Sequence, residues 1–416
     1  MQRTCSAARS LLQFRACTGA TWVNGLTAVS SSSTVKGVRG LAEVAAEDTK
    51  ETPWHSGHSV ATLHEAPTTR YFSIDPRAVP EAQADFYEEA YLKKEGLTQP
   101  NYGCTGVQRE LASSGHSMLQ HRPVIKTLLE HAQSLRKRRI SLQGWTGSGK
   151  SVALYSLVAW ARANDWVALY VPSAFSMVQG GTFNRGEDGL FDMPQAARYI
   201  LQSMLQAHAG DLQALRTADG AQSLAELAGA GVRNTTAADV VAAAIRLKDE
   251  LAGQTQRRVL LAVDDYNALY HRTTYGEAVH PLHRRQLQPD ELRLVQGFRL
   301  MEQPAPANGL TVTAPTCGGR LPAALAVPLP RNSRVSVPRY NLQEVATAAA
   351  FYYDTGVITD VPTVPIVQRA FALSNGNAKE LRHLAAVLLA ENDPLGHSLG
   401  HKAADAAKRR MLRGEA

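Results

Sequence analysis

From Met118 onward the apolar positions fall into two alternating kinds of run. Val124, Leu128, Leu129 and Leu135 within "MLQHRPVIKTLLEHAQSLRKRR" recur at helical spacing and predict a helix over that segment. "RISLQG" reads as a short strand and "KSVALYSLVAWARAND" as the helix after it. "WVALYVP", Trp166 to Pro172, is almost continuously apolar, as expected of a strand buried on both faces of a parallel sheet. The alternation continues with helices over Ala196 to Leu215 and Ala237 to Leu251 and strands over Val259 to Val263, Leu310 to Thr313 and Val335 to Val337. "LQEVATAAAFYYDTG" and "PIVQRAFALSNGNAKELRHLAAVLLAEN" are helical by pattern, and residues 180–194, holding Gly, Asn, Asp and Pro, read as a loop. Strands alternating with helices predict an α/β fold, a parallel sheet flanked by helices. No internal repeat is visible.

Before Met118 the periodicity fades. Residues 43–117 are polar, interrupted by proline and dotted with aromatics, and predict an extended N-terminal arm with one short helix near Phe86 to Leu92. Such an arm orders against a partner; the alternative is plain disorder. The division expected is a leader at 1–42, the arm at 43–117, a core domain at 118–338, a C-terminal helical lid region at 339–398 and a basic tail at 399–416.

Composition sharpens the leader. Residues 1–42 carry Arg3, Arg9, Arg15, Lys36 and Arg39 and no acid before Glu43, with Ser and Ala abundant. Leu11, Leu12 and Phe14 share one face of a short helix. This is an organelle-targeting pattern, mitochondrial by its early arginines; a disordered basic arm is the alternative. The whole chain is +7, but without these five cations the 39 remaining basic residues face 37 acids. Any nucleic-acid contact must then come from local patches. With 44% hydrophobic and 19% charged residues the 416-residue chain resembles an ordinary soluble protein, and no apolar run approaches the roughly 20 residues of a membrane span. Cys5 and Cys17 fall in the leader, and Cys104 and Cys317 have no CxxC or CxxH spacing, which argues against a disulfide framework or structural zinc.

The chemistry concentrates after the first core strand. "GWTGSGKS", from Gly144 through Trp145, Thr146, Gly147, Ser148, Gly149 and Lys150 to Ser151, matches G-x-x-x-x-G-K-[ST] between a strand and a helix. Glycines let backbone N–H groups turn toward phosphate oxygens, and the helix N-terminus adds partial positive charge. Lys150 is expected at the β- and γ-phosphates and the Ser151 hydroxyl on Mg²⁺. "VLLAVDD" brings Asp264 to the end of a buried strand, where a carboxylate holds the Mg²⁺ shell through water. Asp265 stands where an active ATPase often has Glu. One methylene shorter, it is a weak candidate for a catalytic base; a hydrogen bond to a neighbouring loop is the alternative. Thr311 and Thr313 are candidates for a polar sensor of the γ-phosphate, against a plain role as β-branched strand residues. Lys379 or Arg382 is a candidate cation from a helical lid, against a solvent-facing charge. No N-K-x-D signature fixes the base.

Three basic clusters remain. Arg136, Lys137, Arg138 and Arg139 suit a helix C-terminus better than a ligand. An insertion after the Asp264 strand holds His271, Arg272, His280, His283, Arg284 and Arg285, and the tail holds Lys402, Lys408, Arg409, Arg410 and Arg413. Of these, Arg272, Arg284, Arg285, Lys408, Arg409 and Arg410 are the RNA-contact candidates. The histidines lack metal spacing.

"GWTGSGKSVALYSLVAWARANDWVALYVPSA", followed by "VLLAVDDYNALY" and later "VPRYNLQEVATAAAFYYDTG", resembles the death-associated protein three family over roughly Met118 to Asn392. The resemblance implies an AAA-like P-loop NTPase core with a C-terminal helical region. It implies a place in the mitochondrial small ribosomal subunit, in the matrix, with ribosomal RNA and neighbouring ribosomal proteins as partners and a bridge to the large subunit. It also implies bound GTP or GDP, with ATP the alternative, and Mg²⁺, held by Gly144, Gly147, Gly149, Lys150, Ser151 and Asp264. The expected function is a structural nucleotide-binding protein of mitochondrial translation. The rivals are a free mitochondrial AAA-type NTPase or signalling switch and a DNA-directed ATPase; a Glu after Asp264 would have favoured them.

Overall fold

The computed structural model describes residues 54–82, 107, 111, 115–179, 181–280, 283–316, 327–359 and 361–388. The leader, the short helix expected near Phe86, all four cysteines and the basic tail lie outside the described residues.

The segment read as an N-terminal arm is built into the fold over 54–82. Strand β1 (Tyr71–Ser73) pairs antiparallel with β2 (Met118–Gln120), Phe72 opposite Leu119. Leu63, Phe72, Ile74 and Val79 are buried against helix α1 (Pro123–Ser134) and helix α2 (Lys150–Ala163). The scattered aromatics of this stretch, too irregular to show a period, are thus core residues. The helix expected from Met118 starts only at Pro123. Its first three residues are β2, and Arg122 is extended because a residue before proline is pushed out of the helical region, while Pro suits the first helical position. The helix stops at Leu135, which is left-handed at φ 49°.

The central sheet holds β3 (Arg139–Gln143), β4 (Val167–Val171), β7 (Val259–Asp264), β10 (Gly309–Ala314) and β11 (Arg334–Ser336), ordered β11-β3-β10-β7-β4 and parallel throughout. Helices cover both faces, as the alternation predicted. On one face Leu169, Leu261 and Val263 pack on α3 (Pro194–Ala214), α4 (Leu224–Arg233) and α5 (Ala237–Gly253). On the other, Tyr170, Leu260, Ala262 and Val312 pack on α1 and α2. From β3 the chain crosses to the far edge at β4, returns through β7 to β10, then steps over β3 to β11. The order reverses beside β3, and a crevice opens at the carboxyl ends of the strands at such a switch point.

Three local differences from the expectation stand out. Helix α4 was not anticipated, although Ser223 and Glu226 form a capping box at its start and the S-x-x-E signal stood in the sequence. The expected loop at 180–194 contains a small antiparallel pair, β5 (Asn184–Arg185) with β6 (Phe191–Asp192). It is held by Arg293, which grips Asp188 and Asp192. The insertion after β7 forms a second hairpin, β8 (Gly276–His280) with β9 (His283–Gln286).

The C-terminal region is helical: α6 (Leu342–Asp354), α7 (Val364–Ser374) and α8 (Ala378–Leu388). The single helical run read from Pro365 breaks at Asn375 and Gly376, both left-handed, the conformation these two residue types tolerate best. Tyr71 stacks on Phe351 of α6 with ring centroids 3.9 Å apart, tying β1 to this region.

Candidate functional site

The Gly-rich loop spans the end of β3 and the start of α2, at the switch point. Gly147 and Gly149 have φ of 79° and 92°, which side-chain-bearing residues rarely adopt, and they turn the backbone back on itself. Lys150 is 6% exposed and curls over the loop: Nζ donates to the carbonyls of Gly144 (2.8 Å) and Trp145 (3.0 Å). Ser148 lies inside the loop with its hydroxyl buried and without a protein partner. Trp145 stands out of it, 56% exposed.

Asp264, at the last position of β7, is 3% exposed and hydrogen-bonds the Ser151 hydroxyl. Burial and the neighbouring Asp265 push its carboxyl well above the ordinary carboxylate range, against the opposing pull of Ser151, the Asp265 N–H and the Lys150 charge. The hydroxyl and carboxylate expected to share Mg²⁺ are therefore in contact, and the pair suits a hard, oxygen-preferring cation. Among the described residues no group of three or more His, Cys, Asp or Glu is arranged to hold a metal ion. A cation here would take its remaining ligands from phosphate and water.

Asp265 adopts a left-handed backbone, φ 53°. Its carboxylate accepts from Ser173 Oγ (2.6 Å) and from the Thr316 hydroxyl. Burial raises its pKa and those two hydroxyls oppose the rise. Both oxygens are engaged by loops, the bland role open to this residue. Thr316 was not anticipated as part of the site. Its backbone carbonyl accepts from Thr146 Oγ1 (3.2 Å) and its N–H donates to Asn267 Oδ1 (2.8 Å), so it links the Gly-rich loop to the segment after Asp264. Thr311 and Thr313 are buried with unpartnered hydroxyls. They alternate with Ala314, the register partner of Asp264, and so face the opposite side of the sheet from Asp264. That orientation does not fit a phosphate sensor.

Two residues link the loop to the C-terminal region, one from each side of the chain. Arg122, before α1, sends Nη1 to the Ser148 carbonyl (2.6 Å), Nη2 to the Pro338 carbonyl (2.8 Å) and Nε to Glu344 of α6 (2.8 Å). From the other side Asn377 donates to the Thr146 carbonyl (2.8 Å), while its Oδ1 accepts from the Lys379 N–H (3.0 Å) and caps α8. Lys379 lies against the loop, its Cβ 2.9 Å from where a Cβ on Gly147 would stand. Arg382 lies about one turn further along α8. Two lid residues thus bond the loop, the Asn377 amide at the Thr146 carbonyl and the Lys379 backbone N–H at the Gly147 carbonyl (3.4 Å).

The basic candidates separate. Arg138 and Arg139 donate to carbonyls of 303–309, and Lys137 to the Arg334 carbonyl, so this cluster braces loops near the amino ends of the strands. Arg285 is paired with Glu277 (2.8 Å) and Glu291 (2.6 Å), which neutralises it. Arg272 and Arg284 are exposed. Lys408, Arg409 and Arg410 lie outside the described residues. No helix among the described residues is long and apolar enough to cross a membrane.

Comparison with known proteins adds a family. Residues 120–314 match the model of the mitochondrial ribosomal death-associated protein 3. A stretch of 181 residues is 26% identical to the small ribosomal subunit protein mS29 of Bos taurus, covering 39% of this chain and 44% of that protein. The chain thus spans less than half the length of this curated relative. The matched region runs from β2 to the end of β10 and holds the Gly-rich loop and Asp264. Thr316, Arg339, Glu344 and Asn377 lie beyond it.

Proposed function

We propose, from the premise that residues 120–314 make this chain a member of the mitochondrial ribosomal death-associated protein 3 family, that it is a structural protein of the mitochondrial small ribosomal subunit in the matrix. There it contacts ribosomal RNA and neighbouring ribosomal proteins, including a bridge to the large subunit, and holds a guanine nucleotide, GTP or GDP, with Mg²⁺ in an AAA-like P-loop core.

The observation that carries the nucleotide reading is the convergence of Lys150, Ser151 and Asp264 around a loop bent by two left-handed glycines. Lys150 Nζ holds two loop carbonyls and can exchange them for phosphate oxygens, a charge-assisted and stronger interaction. Ser151 and Asp264 are the residues that would hold Mg²⁺, which when bound neutralises phosphate charge. The N–H groups at the start of α2 orient the phosphates. Asp265, with both oxygens engaged by Ser173 and Thr316, is not placed to polarise a water, which favours a retained nucleotide over turnover. Arg122 and Asn377 fasten the loop to the C-terminal helices, so an occupied loop braces two parts of the chain.

The test is sedimentation of a mitochondrial lysate at moderate salt. Co-migration with small-subunit RNA is expected, and a chain that stays at the top of the gradient defeats the ribosomal reading. For the loop, Lys150→Ala is expected to lower nucleotide occupancy and subunit assembly together. Normal assembly around an empty loop defeats the bracing role.

A further inference from the structure

A strap, Val337 to Tyr340, crosses the phosphate loop between β11 and α6. Three of its four residues are held at the backbone. Val337 N donates to the Gln143 carbonyl (2.6 Å), Pro338 O accepts from Arg122 (2.8 Å) and Tyr340 N donates to the Gly376 carbonyl (2.7 Å). The strap is close, since the Val337 carbonyl lies 2.5 Å from where a Cβ on Gly144 would stand.

Arg339 is the remaining member. Its guanidinium carbon lies 5.2 Å from the Trp145 ring centroid. Nη1 makes a long bond to the Asn375 carbonyl (3.4 Å), and Nε is buried with no acceptor. No carboxylate among the described residues pairs with it. An arginine has five N–H donors, and this one uses few of them. The neighbouring cations differ: Lys150 is spent on loop carbonyls, and Arg122 on Glu344 and two carbonyls. Trp145, which carries Arg339, is itself a residue of the phosphate loop and is mostly exposed.

The geometry points to Arg339 as a second phosphate-binding cation of this loop, parked on Trp145 and transferred to the outermost phosphate of a bound nucleoside triphosphate. The inference rests on the nucleotide reading above. A guanidinium fork matches a phosphate and bonds it more strongly than it bonds an indole face at an exposed site. The transfer makes the loop prefer a triphosphate to a diphosphate and uncovers Trp145 on binding.

The experiment uses the full chain with Mg²⁺ and, separately, GTP and GDP, titrated calorimetrically and by tryptophan emission. Arg339→Ala is expected to weaken GTP about tenfold or more and GDP little. Arg339→Lys is expected to recover part of the loss. Wild-type emission is expected to change with GTP, and Trp145→Phe or Arg339→Ala to remove that change. Thermal melting of the nucleotide-free variants tells a folding defect from a binding one. Equal losses for GTP and GDP, unchanged GTP affinity in a folded Arg339→Ala chain, or a Trp145 emission blind to GTP each overturn the assignment while leaving nucleotide binding intact. A wild-type chain that binds neither nucleotide overturns the nucleotide reading, and this assignment with it.

Discussion

Arg122 and Glu344, 222 residues apart in the chain, form an ion pair of 2.8 Å with both side chains 3% exposed. The arginine stands at the entry to α1 and also holds the Ser148 carbonyl of the Gly-rich loop. The glutamate stands in the first turn of α6, where its other oxygen accepts from the Asn341 N–H (2.8 Å). One pair thus fixes the loop relative to the C-terminal helices. Glu344→Gln keeps the cap geometry but leaves a buried, uncompensated guanidinium. Breaking a buried pair in this way costs about 3–5 kcal/mol, to be read from urea unfolding. A loss below about 1 kcal/mol would mean that carbonyls alone satisfy Arg122.

His208 gives the fold an acid-sensitive point. It sits at a kink in α3, and its Nε2 accepts from the Ala168 N–H (3.1 Å) and Arg162 Nε (3.2 Å), which fixes the proton on Nδ1, facing Asp211 (3.2 Å). Burial, then the Arg162 charge, lowers its pKa from 6.5 to about 4, against the pull of Asp211. Below the unfolded value the unfolded chain takes a proton that the folded chain refuses. Stability therefore falls as pH drops from 6.5 toward about 4, by about 3 kcal/mol over that window, and is full above it. Unfolding midpoints measured across that range should show the slope, and His208→Asn should flatten it.

Asn377→Ala removes both the cap of α8 and the bond to the Thr146 carbonyl. A lost cap costs about 1 kcal/mol. Hydrogen exchange should quicken in the first turn of α8 and in residues 144–148 together. Acceleration in α8 alone would show that the loop is held without the lid.

Asp264→Asn separates stability from function. The native carboxylate is buried beside a second carboxylate, at a cost that the amide does not carry. The nucleotide-free variant is expected to be more stable by about 1 kcal/mol, while the Mg²⁺ dependence of nucleotide binding disappears. Calorimetric melting and titrations with and without Mg²⁺ check both halves.

The three arginines in and before the β8–β9 hairpin should differ. Arg272→Ala and Arg284→Ala are each expected to weaken RNA binding and to reduce its salt slope by about 1. Arg285→Ala should change the slope less, because Glu277 and Glu291 already neutralise Arg285. Filter binding to small-subunit RNA over a salt series measures this, and equal slopes for all three variants would remove the distinction.

The Gly-rich loop, Lys150, Ser151 and Asp264 were legible because their chemistry is carried by short range: a strand, a turn and a helix start are contiguous, and the acid ends a visibly apolar strand. Strands β4 and β7 were legible for the same reason, since burial on both faces leaves a nearly unbroken apolar run, whereas β3, β10 and β11 show only alternating apolar positions. Helix α4 escapes a reading by composition although its capping box and its buried positions Leu224, Leu227, Ala228 and Gly231 fall at helical spacing, because Gly229 and Gly231 within ten residues argue against a helix.

Tertiary structure decided the rest. Nothing near Arg122 announces that it serves the loop, because its partners lie 26, 216 and 222 residues away. Thr316 and Asn377 acquire meaning only when the strand order brings the ends of β3, β7 and β10 together and the C-terminal helices fold back over them. The aromatics of 54–82, polar-flanked and aperiodic, looked like an arm until β1 paired with β2. The sequence by itself determined the layered α/β core and the place of the Gly-rich loop between its first strand and the helix after it, since periodicity and a contiguous loop are local properties of the chain. Which cations are spent, which carboxylate is engaged and which arginine is left over depend on distances between segments far apart in sequence, and only the packed chain sets those.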